Sequence, residues 1–265
     1  MRLSLALNLL LAVATSAAPL VVAHRGASGE APENTLPAFE LAWKQGADAI
    51  EGDFQLTKDQ HIVCIHDADT KKVAGIKRMI KDSTLAELQT LDVGSWKGPQ
   101  FAGTRIPTLA EVGATLPPGG KFFIEIKCGP EIVPVLLREI EACSLHNEQI
   151  VVISFDKEVV RAVRAARPDW TVNWLYRFDT RDAAAVSQAL EAVLHTLDEI
   201  GASGLASNAH PEFQSAHLER LKAAGFTHHV WTVNDVKTAR VFLEIGSRSI
   251  TTDFPAKIAG LIAKP

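Results

Sequence analysis

Two histidines, one arginine, one lysine and three carboxylates fall where short apolar runs of this sequence end. His24 and Arg25 follow the run 20–23, Glu51 and Asp53 follow 47–50, His66 follows 61–65, and Glu125 and Lys127 lie in and just beyond 121–126. Glu51 and Asp53 are two positions apart, so on a strand they share one face. Two carboxylates on one face repel unless positive charge lies between them, and a hard divalent cation with oxygen ligands is the usual answer. Glu125 is a charge inside an apolar run and needs a partner as well. A structural pair with Lys127 would serve. Beside Glu51 and Asp53 we read Glu125 as a third metal ligand and Lys127 as a phosphate-binding group. Arg25 brings a planar fork of donors suited to phosphate oxygens, and His24 can move a proton near neutral pH. Together these groups suit phosphoryl transfer better than acyl or glycosyl transfer. Any one of them also reads as a loop residue or an exposed charge; the combination carries the argument.

For such groups to meet, they must sit at the same ends of neighbouring strands, which is where parallel α/β folds build their sites. Further apolar runs at 149–153, 170–175, 204–206, 228–233 and 248–251 alternate with helical segments near 131–142, 156–167, 182–200, 212–224, 235–245 and 255–263. Eight such units in 265 residues predict an α/β protein with a single (β/α)8 TIM-type barrel over residues 19–265. Residues 67–107 are too long for an ordinary connection. They predict an insertion after the second strand, lying over the site and carrying one short helix opened by the capping box Thr84–Glu87. Trp96 in that insertion either lines a pocket or anchors the loop. A second capping box, Thr108–Glu111, predicts a helix toward Leu116. On a barrel, Trp231, Asn234 and Asp253 also reach the rim; Trp231 is carried forward as a substrate contact, although packing explains it equally well. His228 and His229 fall at the other end of their strand and receive no role, and His210 beside Asn208 fits a plain turn.

An apolar content of 47% with 22% charged residues is ordinary for a globular chain, and a net charge of −4 gives no general attraction to nucleic acid or to anionic membranes. Attraction of an anionic small molecule must then be local, through Arg25, Lys127 and a metal. The N-terminus has a basic residue, Arg2, an apolar run over 3–13 and small residues over 14–18. This matches a secretory signal peptide within 1–18, too short to span a membrane stably, and implies a secreted or periplasmic protein. Pro19 disfavours a cut directly before it, so cleavage before Ala18 is expected. Cys64, Cys128 and Cys143 make neither a disulfide framework nor a zinc site; Cys128, beside Lys127, is the one thiol placed near the proposed site.

His24-Arg25-Gly26, Pro32-Glu33-Asn34-Thr35, Glu51-x-Asp53, His66-Asp67, Glu125-Ile126-Lys127, Trp231-Thr232-Val233-Asn234 and Thr252-Asp253 occur in this order, and together they resemble the glycerophosphodiester phosphodiesterases. The resemblance covers essentially everything after residue 19. It implies a TIM-type barrel and one divalent cation, Ca2+ or Mg2+, held by Glu51, Asp53 and Glu125. It further implies His24 and His66 as an acid–base pair, and Arg25 and Lys127 as the phosphate clamp. Glu33 would orient its neighbours. Gly52 departs from the bulky apolar residue common there in the family. The implied reaction is metal-dependent hydrolysis of a glycerophosphodiester to an alcohol and sn-glycerol 3-phosphate. Two other readings remain open at this point: a lysophospholipase D or sphingomyelinase D-like activity on lipids, and a non-catalytic binding barrel.

Overall fold

The computed structural model describes residues 18–143, 145–180 and 182–262. The expected signal peptide, apart from Ala18, lies outside the described residues. Eight parallel strands close into a barrel: β1 (Leu20–His24), β2 (Ala49–Leu56), β4 (Lys121–Ile126), β5 (Ile150–Ser154), β6 (Thr171–Tyr176), β7 (Gly204–Asn208), β8 (Thr227–Trp231) and β9 (Ser249–Thr252). Closure comes from β1, which pairs with β2 on one side and β9 on the other. A ninth strand, β3 (Ile62–Cys64), runs antiparallel to the far end of β2. The strands read as near-continuous apolar runs because both faces are covered. Side chains alternate between them: Ile50, Phe54, Phe122, Ile124 and Ile126 pack in the layer under the helices, while Val22, Phe123, Val151, Ile153, Leu175 and Ala206 form a separate cluster.

The sequence reading ended the second apolar run at Ile50; the structure continues the strand through Glu51-Gly52-Asp53 to Leu56. Two facts allow charged residues in the middle of a buried strand. Both carboxylates have partners, described below, and the residue between them has no side chain. A Cβ on Gly52 would come within 3.0 Å of Cys64 Sγ and 3.2 Å of Phe39. The tight packing of β3 and the first helix, α1 (Leu36–Lys44), against β2 therefore leaves little room at this position.

Residues 67–107 form two four-residue helices, α2 (Lys71–Ala74) and α3 (Leu85–Leu88), rather than one, with short 3-10 turns at Ile80–Asp82 and Pro99–Phe101. They enclose a small core of their own around Val73, Ile80, Leu88, Leu91, Val93 and Ile106. Thr84 and Glu87 make the expected capping box, as do Thr108 and Glu111 at α4 (Leu109–Gly113), which stops short of Leu116. The insertion docks on the loop after β1 through Lys72 Nζ to Glu33 (2.8 Å) and Lys97 Nζ to the Ser28 carbonyl (2.7 Å). The remaining helices, α5 (Val133–Ala142), α6 (Lys157–Ala166), α7 (Ala183–Glu199), α8 (Ser215–Ala223), α9 (Val236–Ile245) and α10 (Pro255–Ala259), surround the barrel. Asp156, Asp182 and Asp235 cap α6, α7 and α9 with side-chain acceptors. Among the described residues, no helix is long and apolar enough to cross a membrane.

His228 and His229 are buried polar fixtures. His228 bridges Ser207 Oγ (2.9 Å) and Ser247 Oγ (2.8 Å) and stacks on Phe213 at 4.6 Å, while His229 Nδ1 meets Ser249 Oγ at 2.8 Å. Burial pushes His228 down to about 3 and His229 down to about 4. Both stay neutral in the folded protein while the unfolded chain takes up protons below about pH 6.5. Stability is therefore fully present above pH 6.5 and is lost as pH falls toward 4, by up to ~1.4 kcal/mol per pH unit for each histidine. Urea unfolding at pH 7, 6 and 5 should show this slope, and His228→Gln should remove about one histidine's share of it; an unchanged slope would contradict the assignment.

Candidate active site

The turn after β1 sets the first residues of the site. Arg25 (φ 55°) and Gly26 (φ 80°) both adopt left-handed backbone. A Cβ on Gly26 would lie 2.5 Å from the Ala38 carbonyl carbon, so this close approach to α1 requires glycine. The turn aims the Arg25 amide at Glu51 Oε2, 2.8 Å away. The Arg25 side chain reaches in beside Asp53, with Nε 3.1 Å from Oδ2, and Nη1 meets Glu33 Oε1 at 3.0 Å. Glu33 thus fixes the guanidinium, as the sequence led us to expect.

Strand register brings the carboxylates together. His24 lies beside Glu51 across β1 and β2, and Asp53 lies beside Glu125 across β2 and β4. One oxygen from each of Glu51, Asp53 and Glu125 falls within 4.8 Å of the other two, and all three residues are buried. Lys127 Nζ sits 2.7 Å from Glu125 Oε1 and 3.6 Å from Asp53 Oδ1. Asn34 grips Asp53 from behind: its Nδ2 donates to Oδ2 (2.8 Å) and its Oδ1 accepts from the Asp53 amide (3.0 Å). Even so, Glu51 Oε1 and Asp53 Oδ1 are buried with no hydrogen-bond partner. Buried oxygens without a donor are costly, and hard oxygen donors converging on one point fit a divalent cation. Burial, then the Asp53 charge, pushes Glu51 up to about 8. The same two causes raise Glu125, whereas Arg25 and Lys127 outweigh burial at Asp53 and hold it down.

Each histidine is held by a carboxylate. His24 Nδ1 lies 2.7 Å from Asp253 Oδ1, and His66 Nδ1 lies 2.7 Å from Asp67 Oδ1. Asp253 follows β9 and is itself fixed by Ser28 Oγ (2.9 Å) and Asn234 Nδ2 (2.6 Å). Gln55 Nε2 secures the other loop by donating to the carbonyls of His66 (3.0 Å) and Asp67 (2.6 Å). His24, Arg25, Glu51, His66, Glu125, Lys127 and Trp231 line one cavity of about 230 Å3, with Asp53 buried among them.

A model of the glycerophosphoryl diester phosphodiesterase family matches residues 24–257. The chain belongs to that family. It is 35% identical over 252 residues to the glycerophosphodiester phosphodiesterase of Caldanaerobacter subterraneus subsp. tengcongensis, covering 92% of this chain and 98% of that protein. It is 31% identical to the glycerophosphodiester phosphodiesterase of Bacillus subtilis, covering 89% of this chain and 84% of the relative. Among solved structures it resembles a phosphodiesterase of Oleispira antarctica in complex with the product sn-glycerol-3-phosphate, with a TM-score of 0.80, 28% identity, and coverage of 92% and 96% of the two chains. Like the family, it is an enzyme, a glycerophosphodiester phosphodiesterase.

Within this family site, three groups escaped the sequence reading or received no role in it. Asp253 had a place at the rim but no task; its pairing with His24 joins positions 229 apart, which no local pattern shows. Asn34 was part of a motif whose geometry only the fold reveals. Phe155 and Arg177 also line the cavity; their one sequence signal was position, just past the ends of predicted strands. Of the other candidates, Trp96 is not among the cavity residues and its Nε1 donates to the Val93 carbonyl at 2.8 Å, which is the anchoring role. Burial pushes the Cys128 thiol up to about 11, so it is not a thiolate nucleophile at neutral pH. His210 ties down the Thr180 carbonyl at 2.9 Å, in keeping with a turn.

Burial lowers the His24 pKa, but the hydrogen bond that it donates to Asp253 and the Glu51 charge outweigh it and leave a net rise. The same contact helps hold Asp253 down to about 2 against its own burial. Asp253→Asn keeps the shape and removes the charge. We expect kcat to fall by about 10²-fold or more with KM little changed. The limb of the pH–rate profile that reports His24 should move to lower pH. An unchanged kcat and profile would show that Asp253 does not position this histidine.

Proposed function

We propose that the protein hydrolyses small glycerophosphodiesters to an alcohol and sn-glycerol 3-phosphate, with His24 and His66 as the acid–base pair. The observation that carries this reading is the pair of carboxylate-bound imidazoles in one cavity with a buried three-carboxylate cluster. A carboxylate on Nδ1 fixes the ring and leaves Nε2 as the nitrogen that exchanges a proton. Arg25 and Lys127 hold the diester's non-bridging oxygens by charge-assisted hydrogen bonds that strengthen as negative charge develops. One imidazole takes the proton of the nucleophile as its oxygen bonds to phosphorus; the nucleophile is water, or the glycerol 2-hydroxyl, which gives a cyclic phosphate that water then opens to sn-glycerol 3-phosphate. The phosphorus–oxygen bond to the departing alcohol breaks, and the other imidazole, as imidazolium, protonates that oxygen.

Glu51, Asp53 and Glu125 would hold one divalent cation, Ca2+ or Mg2+, with Glu51 Oε1 and Asp53 Oδ1 as the oxygens that lack partners. When bound, such a cation would supply a fixed positive charge to polarise the phosphoryl oxygens. Arg25 and Lys127 cannot do this alone, because each is partly spent on a neighbouring carboxylate.

The small substrate follows from the room available. A cavity of about 230 Å3, with charged groups over much of its lining, is below the usual range for larger ligands. It fits a deacylated diester better than a lipid. The signal-peptide pattern of residues 1–18 supports a site of action outside the cytoplasm. The test is release of sn-glycerol 3-phosphate from soluble glycerophosphodiesters, compared with turnover of lysophosphatidylcholine. We expect the soluble diesters to be preferred, and the His24→Ala/His66→Ala double variant to lose on the order of 10²–10⁴-fold in rate. Near-full activity in the double variant would overturn the acid–base assignment, and preference for the lysolipid would overturn the substrate class.

A further inference from the structure

The cavity has two unlike halves. One half carries the charged groups already described. The other is an aromatic wall made by Phe155 after β5, Arg177 after β6 and Trp231 at the end of β8. Trp231 is fixed at its centre: Nε1 donates to the Ala206 carbonyl at 3.1 Å, and Phe155 packs edge-on at 5.6 Å and 82°. The Arg177 guanidinium lies over the Trp231 ring, 5.1 Å from its centroid. Phe155 also approaches the charged half, with Lys127 Nζ 5.9 Å from its ring centroid. A substituent on a phosphate held by Arg25 and Lys127 therefore has a continuous path along Phe155 to Trp231 and Arg177.

Arg177 differs from the other cations of the cavity. Arg25 and Lys127 each lie beside two carboxylates. The Arg177 side chain forms no ion pair or hydrogen bond with any described residue, and its one recorded contact is the Trp231 ring. Its five N–H donors remain available for a ligand.

We propose that Arg177, Trp231 and Phe155 form the subsite for the alcohol portion of the diester and select hydroxyl-rich head alcohols, such as glycerol or inositol, over quaternary ammonium ones. The proposal rests on the phosphodiesterase reading above and names the substrate class within it. A trimethylammonium group binds by occupying the face of an aromatic ring. Here that face already carries a guanidinium of the same sign, so a choline headgroup meets a like charge and a covered ring. A polyol meets the opposite conditions: its hydroxyl oxygens accept from the planar fork, and its C–H faces lie against Phe155.

The experiment measures kcat/KM for glycerophosphoglycerol and glycerophosphocholine with wild type, Arg177→Ala and Arg177→Lys. Wild type should prefer glycerophosphoglycerol by about 10-fold or more. Arg177→Ala should shrink that ratio by about 10–100-fold, the factor carried by hydrogen bonds to a charged group. Arg177→Lys, which keeps the charge and loses the fork, should recover only part of it. Equal or better turnover of glycerophosphocholine by wild type would overturn the subsite while leaving the reaction class intact. So would an equal loss on both substrates in Arg177→Ala, which would mark a general role in binding. Absence of turnover on both diesters would overturn the reaction class and this proposal with it.

Discussion

Three carboxylates buried against one another are the constraint to which the rest of this molecule answers. Glu51, Asp53 and Glu125 sit at the mouth of the barrel with their oxygens within 4.8 Å. Left alone, such a cluster would take up protons or open to water, and Glu51, pushed up to about 8, shows how strongly burial and like charge act. Arg25 and Lys127 offset part of the charge, and the Arg25 and Asp53 amides with Asn34 fix the geometry. Two oxygens still lack donors. That residual demand for positive charge is what a divalent cation held by these carboxylates would meet.

The barrel makes this arrangement possible because it brings distant segments into register. Parallel pairing of β1, β2 and β4 sets His24, Glu51, Asp53 and Glu125 side by side, each on the face that looks into the cavity. Closure through β9 does the second part. It delivers Asp253 to His24, so the first and last strands share one hydrogen bond at the reaction centre. The insertion contributes His66 at its entry and, through Lys72, a second partner for Glu33 behind Arg25. Each imidazole thus depends on a loop that is anchored at some distance from the cavity.

Much of this was legible in the sequence, for a definite reason. Ligand and acid–base residues in a barrel must lie at strand ends, and strand ends are marked by the change from apolar to polar residues. His24, Arg25, Glu51, Asp53, His66, Glu125 and Lys127 were all visible in that way. What stayed hidden depends on pairing across the closed sheet. Nothing local connects Asp253 to His24, or Arg177 to Trp231. The apolar run was read as ending at Ile50 because charges follow it; the strand itself continues because these charges are compensated inside the barrel. The insertion was expected to carry one short helix, which is α3; α2 went unread because it is only four residues long and is held by the insertion's small core rather than by periodicity.

The most direct test is a calorimetric titration of Ca2+ and Mg2+ into metal-stripped protein, followed by thermal unfolding with and without chelator. The account predicts one cation bound per chain and a higher melting temperature when it is bound. Hydrolysis should appear only with cation present, and binding should be lost in Glu51→Gln and Glu125→Gln. Full activity in chelator, or no cation binding by a folded wild-type protein, would contradict the claim that these three carboxylates exist to hold a metal.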